Sequence, residues 1–146
     1  MIRLLCIGRL KERHYADAAA EYLKRLARFT RTETVELREC TDKNPDVSKA
    51  REGKLLIERL KDGTYVVVMD QKGRQLSTDE FSCILKMPDV TFIIGGPDGL
   101  SRDILEKADL VISLSKMTLP HQLARVVLIE QIYRGFTILG GGKYHK

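Results

Sequence analysis

With 146 residues, 43% of them hydrophobic and 31% charged, the sequence has the length and composition of a domain that buries its core without disulfides or metals, and one domain over residues 1–146 is expected. No apolar run approaches the ~20 residues that span a bilayer. The opening MIRLLCIGRL is cut by Arg3 and Arg9 and reads as a strand, not a signal peptide. The net charge of +5 resides in residues 1–31, which carry eight basic side chains against three acidic ones, so the rest of the chain is neutral. Such clustering is either the footprint of a polyanion binder or a solvated helix face.

Cys6, Cys40 and Cys83 are odd in number, far apart and without CxxC spacing. Buried thiols in a reducing cytoplasm are expected, with neither a disulfide framework nor a zinc site. IRLLCIG (2–8) forms a strand, and YADAAAEYLKRLARF (15–29) a helix with Ala19, Tyr22, Leu23, Leu26 and Phe29 on its inner stripe. TETVELREC (32–40) alternates as a half-buried strand. The polar TDKNPDVS then leads into a helix whose Leu55, Leu56, Ile57 and Leu60 face inward. TYVVVMD (64–70) and VTFIIGG (90–96) are uninterrupted β-forming runs, the pattern of central parallel strands buried on both faces.

Between those two strands, Ser77 and Glu80 form a capping box ahead of a helix. SRDILEKA is a short helix, DLVISLS (109–115) a further strand, and PHQLARVVLIEQIYRGF a final helix with Pro120 in its first turn. The βαβα rhythm predicts an open, mostly parallel α/β sheet with helices on both faces. Ligands of such sheets collect at the carboxyl ends of strands, here Met69–Asp70, Gly95–Gly96 and Leu114–Ser115.

Three segments could carry chemistry. IIGGPDGLSRD has a strand, a glycine turn and a helix start, but neither a P-loop Lys-Ser/Thr nor GxGxxG spacing; its glycines permit close approach of a flat ligand or simply turn the chain. SLSKMTLPHQLAR runs from a buried strand through a mixed loop into a helix that is apolar nearly all round, which the sheet or a second subunit must enclose. There His121 reads as a packing or hydrogen-bonding residue, and Arg125 must meet a ligand or an acidic partner such as Glu130. The last residues, GGGKYHK, pair Tyr144 with His145 and flank them with Lys143 and Lys146. Tyrosine stacks on bases, histidine accepts protons near neutrality, and the lysines suit phosphates. The glycine triplet would fray such a segment unless something holds it.

FIIGGPDGLS, SLSKMTLPHQLARVVLIEQIYRG and the closing YHK, in that order, resemble the ribosomal large-subunit pseudouridine N3-methyltransferases. These are small members of the SPOUT class of S-adenosylmethionine-dependent RNA methyltransferases. The resemblance spans essentially the whole chain. It implies a C-terminal trefoil knot, an exception to the rule against threaded chains, a homodimer, and ribosomal RNA or the assembled ribosome as partner. It also implies cofactor contacts at Met69 (where a leucine is common), Gly95, Leu114, Ser115, Lys116, Met117, Thr118 and Leu119. By the same resemblance His145 is the candidate base for the N3 proton, with Tyr144 positioning. Arg125, Arg134 and Lys143 would orient the RNA or bridge subunits. The rival expectations are methylation of a ribose hydroxyl and a non-catalytic RNA-binding module, with the glycines as a hinge for the tail.

Overall fold

The computed structural model describes residues 1–145. Its elements run β1 (Ile2–Ile7), α1 (Arg13–Leu26), β2 (Thr32–Leu37), α2 (Pro45–Arg59), β3 (Tyr65–Gln75), α3 (Thr78–Ile84), β4 (Val90–Ile94), α4 (Arg102–Glu106), β5 (Leu110–Ser113) and α5 (His121–Leu139). The five strands form one sheet in the order β2-β1-β4-β3-β5, and every pairing is parallel.

The period of two along each strand divides the core into two layers. Ile2, Leu4 and Cys6 of β1, Val67 of β3, and Val90, Phe92 and Ile94 of β4 face one side. They pack there with Ala19 and Leu26 of α1, Phe81 of α3 and Leu128, Ile129 and Ile132 of α5. The alternate residues Leu5, Ile7, Val66, Val68 and Ile93 meet Leu56 of α2 and Ile104 of α4 on the other side. Each fully buried Val, Leu, Ile or Phe among them stabilises the fold by about 1.5–3 kcal/mol relative to exposure. The doubly covered parallel sheet anticipated from sequence is the one observed.

Local signals set the helix starts. Asn44 caps α2 by accepting the Asp46 N–H at 3.0 Å, with Pro45 next to it, and the Ser77–Glu80 capping box of α3 is complete. Helix α1 has no side-chain cap of its own. Gln122 of α5 instead holds the approach to the helix, its Oε1 accepting the Lys11 and Glu12 N–H groups at 2.8 and 3.2 Å. The starts of α1 and α5 are thereby tied together.

Four departures from expectation stand out. α1 ends at Leu26, because Phe29 and Thr30 N–H both turn back to the Leu26 carbonyl. Phe29 therefore leaves the inner stripe and stands 44% exposed. Pro120 flanks α5 and His121 opens it. Of the thiols, all free, Cys6 is buried but Cys40 is half-buried and Cys83 exposed, so the expectation of three buried thiols fails. Burial pushes the Cys6 thiol up to about 11, so it stays protonated at neutral pH.

The fourth difference is the extension of β3 to Gln75. Residues 70–73 bulge from the strand, the Asp70 carboxylate accepting the Lys72 N–H at 2.8 Å, and Ile112 of β5 is opposite both Met69 and Arg74. A Cβ on Gly73 would lie 2.5 Å from the Ile112 carbonyl carbon, so two backbones touch where no side chain fits. The Gly73→Ala variant should lose about 2–3 kcal/mol of stability in urea denaturation. A loss below about 0.5 kcal/mol would show that the contact can relax.

Candidate functional site

The register of the sheet assembles the strand ends. Met69 is opposite Ile94 of β4 on one side and Ile112 of β5 on the other. Gly95 and the segment from Leu114 onward therefore leave the sheet from one carboxyl edge, beside Met69. Leu114, Ser115 and Leu119 are half-buried, whereas Lys116, Met117 and Thr118 are exposed, Met117 at 77%. Two hydrogen bonds shape the loop: Ser113 Oγ donates to the Ser115 carbonyl at 2.9 Å, and Ser115 Oγ accepts the Met117 N–H at 2.9 Å. Half-buried apolar side chains beside a loop of exposed polar backbone suit a ligand with one flat apolar part and one polar part.

The glycine turn is closely fitted. Gly99, at φ +87°, donates its N–H to the Gly96 carbonyl at 3.1 Å. A Cβ on Gly95 would strike the Leu100 side chain at 2.8 Å, and one on Gly96 would sit 3.2 Å from Glu52 Oε2. Glu52 is 2% exposed. Its Oε1 accepts the Cys40 N–H at 2.9 Å, while Oε2 has no partner among the described residues. Desolvation raises its pKa; the Cys40 N–H opposes the rise, and Glu39 and Asp98 add to it. Sequence reasoning missed Glu52, although Ser48, Glu52 and Leu56 recur every four residues on the inward stripe of α2. A carboxylate in an apolar stripe was the available signal.

Arg125 was expected to orient RNA or bridge subunits, and the structure corrects this. It is 2% exposed, and its guanidinium donates to Glu36 Oε1 at 2.6 Å, to the Gly8 carbonyl at 2.8 Å and to the Ile7 carbonyl at 3.4 Å. The acidic partner is Glu36 on β2, not Glu130. Glu130 instead accepts from Arg134, at 2.9 Å from Nε and 2.6 Å from Nη2.

The tail lies elsewhere on α5. Gly141 adopts φ +68°, and the N–H groups of Gly140, Gly141 and Gly142 return to carbonyls of Phe136, Ile138 and Thr137. In this structure the triplet closes the helix and reverses the chain, where a hinge was expected. Tyr144 then packs edge-on against Tyr133 with ring centroids 4.8 Å apart, lies under the Arg134 guanidinium at 4.5 Å, and places its hydroxyl 3.1 Å from Glu130 Oε1. Its pKa is pushed up to about 12, first by burial and then by Tyr22 and Glu130. His145 is half-buried, and its Nδ1 has no partner among the described residues; Lys143 is exposed, and Lys146 lies outside the described residues.

The structure thus gathers Met69, Gly95 and residues 114–119 at one edge. It does not bring Lys143, Tyr144 and His145 there. Among the described residues no group of three or more His, Cys, Asp and Glu could hold a metal ion, and no helix is long and apolar enough to cross a membrane.

A parallel sheet covered on both faces, with loops converging at its carboxyl edge, defines an α/β protein built to hold a small ligand there. The family described as "Predicted SPOUT methyltransferase" matches residues 1–145, and the chain belongs to it. The Ribosomal RNA large subunit methyltransferase H of Caldicellulosiruptor saccharolyticus is 45% identical over 154 residues, covering 100% of both chains. The protein of that name from Clostridium beijerinckii is 40% identical, covering 99% of each. A solved probable methylase family protein from Haemophilus influenzae shares the fold, with a TM-score of 0.61 at 14% identity over 99% of this chain and 70% of that one.

Glu52 gives a pH-dependent expectation. A pKa raised by folding means that stability present below the unfolded value of ~4.3 is lost as pH rises through the folded value. Glu52→Gln, which cannot ionise, should therefore raise the melting temperature at pH 7, with the gain vanishing toward pH 3. A gain that persists in acid would locate the effect in packing.

Proposed function

We propose that this chain transfers a methyl group from S-adenosylmethionine to N3 of a pseudouridine in large-subunit ribosomal RNA, as a homodimer acting on the assembled ribosome. The observation that carries the reading is the shared edge formed by Met69, Gly95 and the 114–119 loop. The names of full-length relatives at 40–45% identity point to the RNA substrate. S-adenosylmethionine, when bound, supplies a methyl carbon on a sulfonium for in-line attack.

Met69, Leu114 and Leu119 would flank the adenine, and the exposed backbone of residues 115–118 would take the polar groups. The tight turn at Gly95–Gly96 holds one wall in place, so that little geometry has to be organised when substrate arrives. His145 would accept the proton that leaves N3. Its Nδ1, buried and without a partner among the described residues, supports that role, because such a nitrogen is costly until a partner reaches it. Tyr144 stays protonated far above neutral pH and acts as a hydrogen-bond donor that positions the tail.

Tyr144 contacts Glu130, nine residues into α5, which is ~14 Å along the helix axis from His121, near the 114–119 loop. A tail and a loop from different copies would meet without that tail leaving Glu130, which supports the homodimer. Leu123, Val127 and Ile138 of α5 remain half-buried and would be covered by the second copy. The trefoil knot belongs to the same proposal, supported by the family match over residues 1–145.

His145→Ala should lower methyl transfer to ribosomes from cells lacking the protein by about 10²-fold while leaving S-adenosylmethionine binding in calorimetry nearly unchanged. Undiminished transfer would remove His145 from the reaction. A ribose-methylated product nucleoside would reassign the target atom, and no saturable cofactor binding by the wild-type protein would leave an RNA-binding module.

A further inference from the structure

The C-terminal turns of α1 and α5 enclose a groove of about 550 Å³ lined by Glu21, Lys24, Arg25, Arg28, Phe29 and Tyr133. It lies on the segment that carries the whole net positive charge of the chain. Its cations divide into two kinds. Arg25 is committed to neighbours, with Nε 2.8 Å from Glu21 Oε1 and its guanidinium over the rings of Tyr22 and Tyr133 at 5.7 and 6.0 Å. Lys24 and Arg28 are exposed and have no ion-pair partner among the described residues.

Phe29, released from the inner stripe by the early end of α1, lines the same groove. Its ring is stacked on Phe136 at 6.3 Å and met edge-on by Tyr133 at 6.1 Å, yet it remains 44% exposed. An aromatic ring held from behind and open in front, with two uncommitted cations beside it, has the parts of a single-strand nucleic-acid site. The ring gives a base a surface to stack on, and the cations take the flanking phosphates. Burying Phe29 against protein would need no such cations.

We infer that this groove binds a single-stranded segment of the RNA substrate, a base on Phe29 and phosphates on Lys24 and Arg28. The inference rests on the RNA-methyltransferase reading and extends it from the strand ends to the opposite end of α5. Charge disfavours a second copy of the chain as occupant. The groove carries three cations, Lys24, Arg25 and Arg28, against the single carboxylate of Glu21, a balance that selects an anionic occupant. The groove also shares Tyr133 with the docked tail, so RNA seated there lies beside Tyr144.

The test uses the full chain with a labelled single-stranded oligouridylate, read by fluorescence anisotropy over a range of salt. The Lys24→Ala/Arg28→Ala variant should weaken binding at least tenfold and reduce the salt slope by about 1.4, the share of two single-strand phosphates. Phe29→Leu should weaken binding about tenfold with the slope unchanged, since stacking releases no counterions. Wild-type affinity and slope in both variants overturn the inference. So does a change of molar mass in light scattering for the double variant, which would make the face a contact between copies. Failure of the methyltransferase reading shows separately, as wild-type protein without saturable S-adenosylmethionine binding, and leaves the oligouridylate comparison intact.

Discussion

One buried guanidinium fixes the geometry on which the site depends. Arg125 reaches from the second turn of α5 through the core to the carbonyls at the end of β1 and the carboxylate of Glu36 on β2. Gly8, in the left-handed region at φ +78°, turns its carbonyl toward that group. Because α5 starts where the 114–119 loop ends, anchoring its first turns also anchors the loop. Removing one side of a buried pair typically costs about 3–5 kcal/mol. Glu36 remains partly exposed and can be solvated, so the buried part of the constraint lies in the bonds to the two backbone carbonyls.

Much of the fold was legible in the sequence because its signals are local or periodic. The uninterrupted β-forming runs at 64–70 and 90–96 identified central strands, and Ser77–Glu80 announced a helix start that is present in full. Elements whose limits are set by tertiary contact were not legible. Phe29 has the right spacing for the inner stripe of α1, but the backbone leaves the helix before reaching it. The bulge after Met69 is specified by a partner strand some forty residues later. Arg125 is ambiguous for the same reason, since its partner Glu36 sits on a strand that nothing in the local pattern connects with α5.

The candidate site divides along similar lines. Its strand-end half follows from a general property of parallel sheets, so composition and register converge on Met69, Gly95 and Leu114. Its tail half was an open reading of Lys143, Tyr144 and His145 from their chemistry, and only the family resemblance gave those residues roles. The structure gives the tail a definite position, docked on Tyr133 and Glu130, in place of the freely hinged segment that three glycines suggest. Glu52 marks the complementary case: its spacing on α2 was visible in the sequence, but the turn it supports became apparent only once Gly96 was seen against its carboxylate.

The close passage of Gly73 over Ile112 has a kinetic consequence. All four strand pairings are parallel and join segments far apart in the chain, the topology that makes folding slow because loop closure precedes any reward from contact. The stretch after Met69 cannot take its final path until β5 lies beneath it. β5 in turn is an edge strand whose paired neighbour in the sheet is β3. These two segments therefore reach their final geometry together. The carboxyl edge that gathers Met69, Gly95 and the 114–119 loop is completed in that same event, so an intermediate with most of its sheet in place would still lack it.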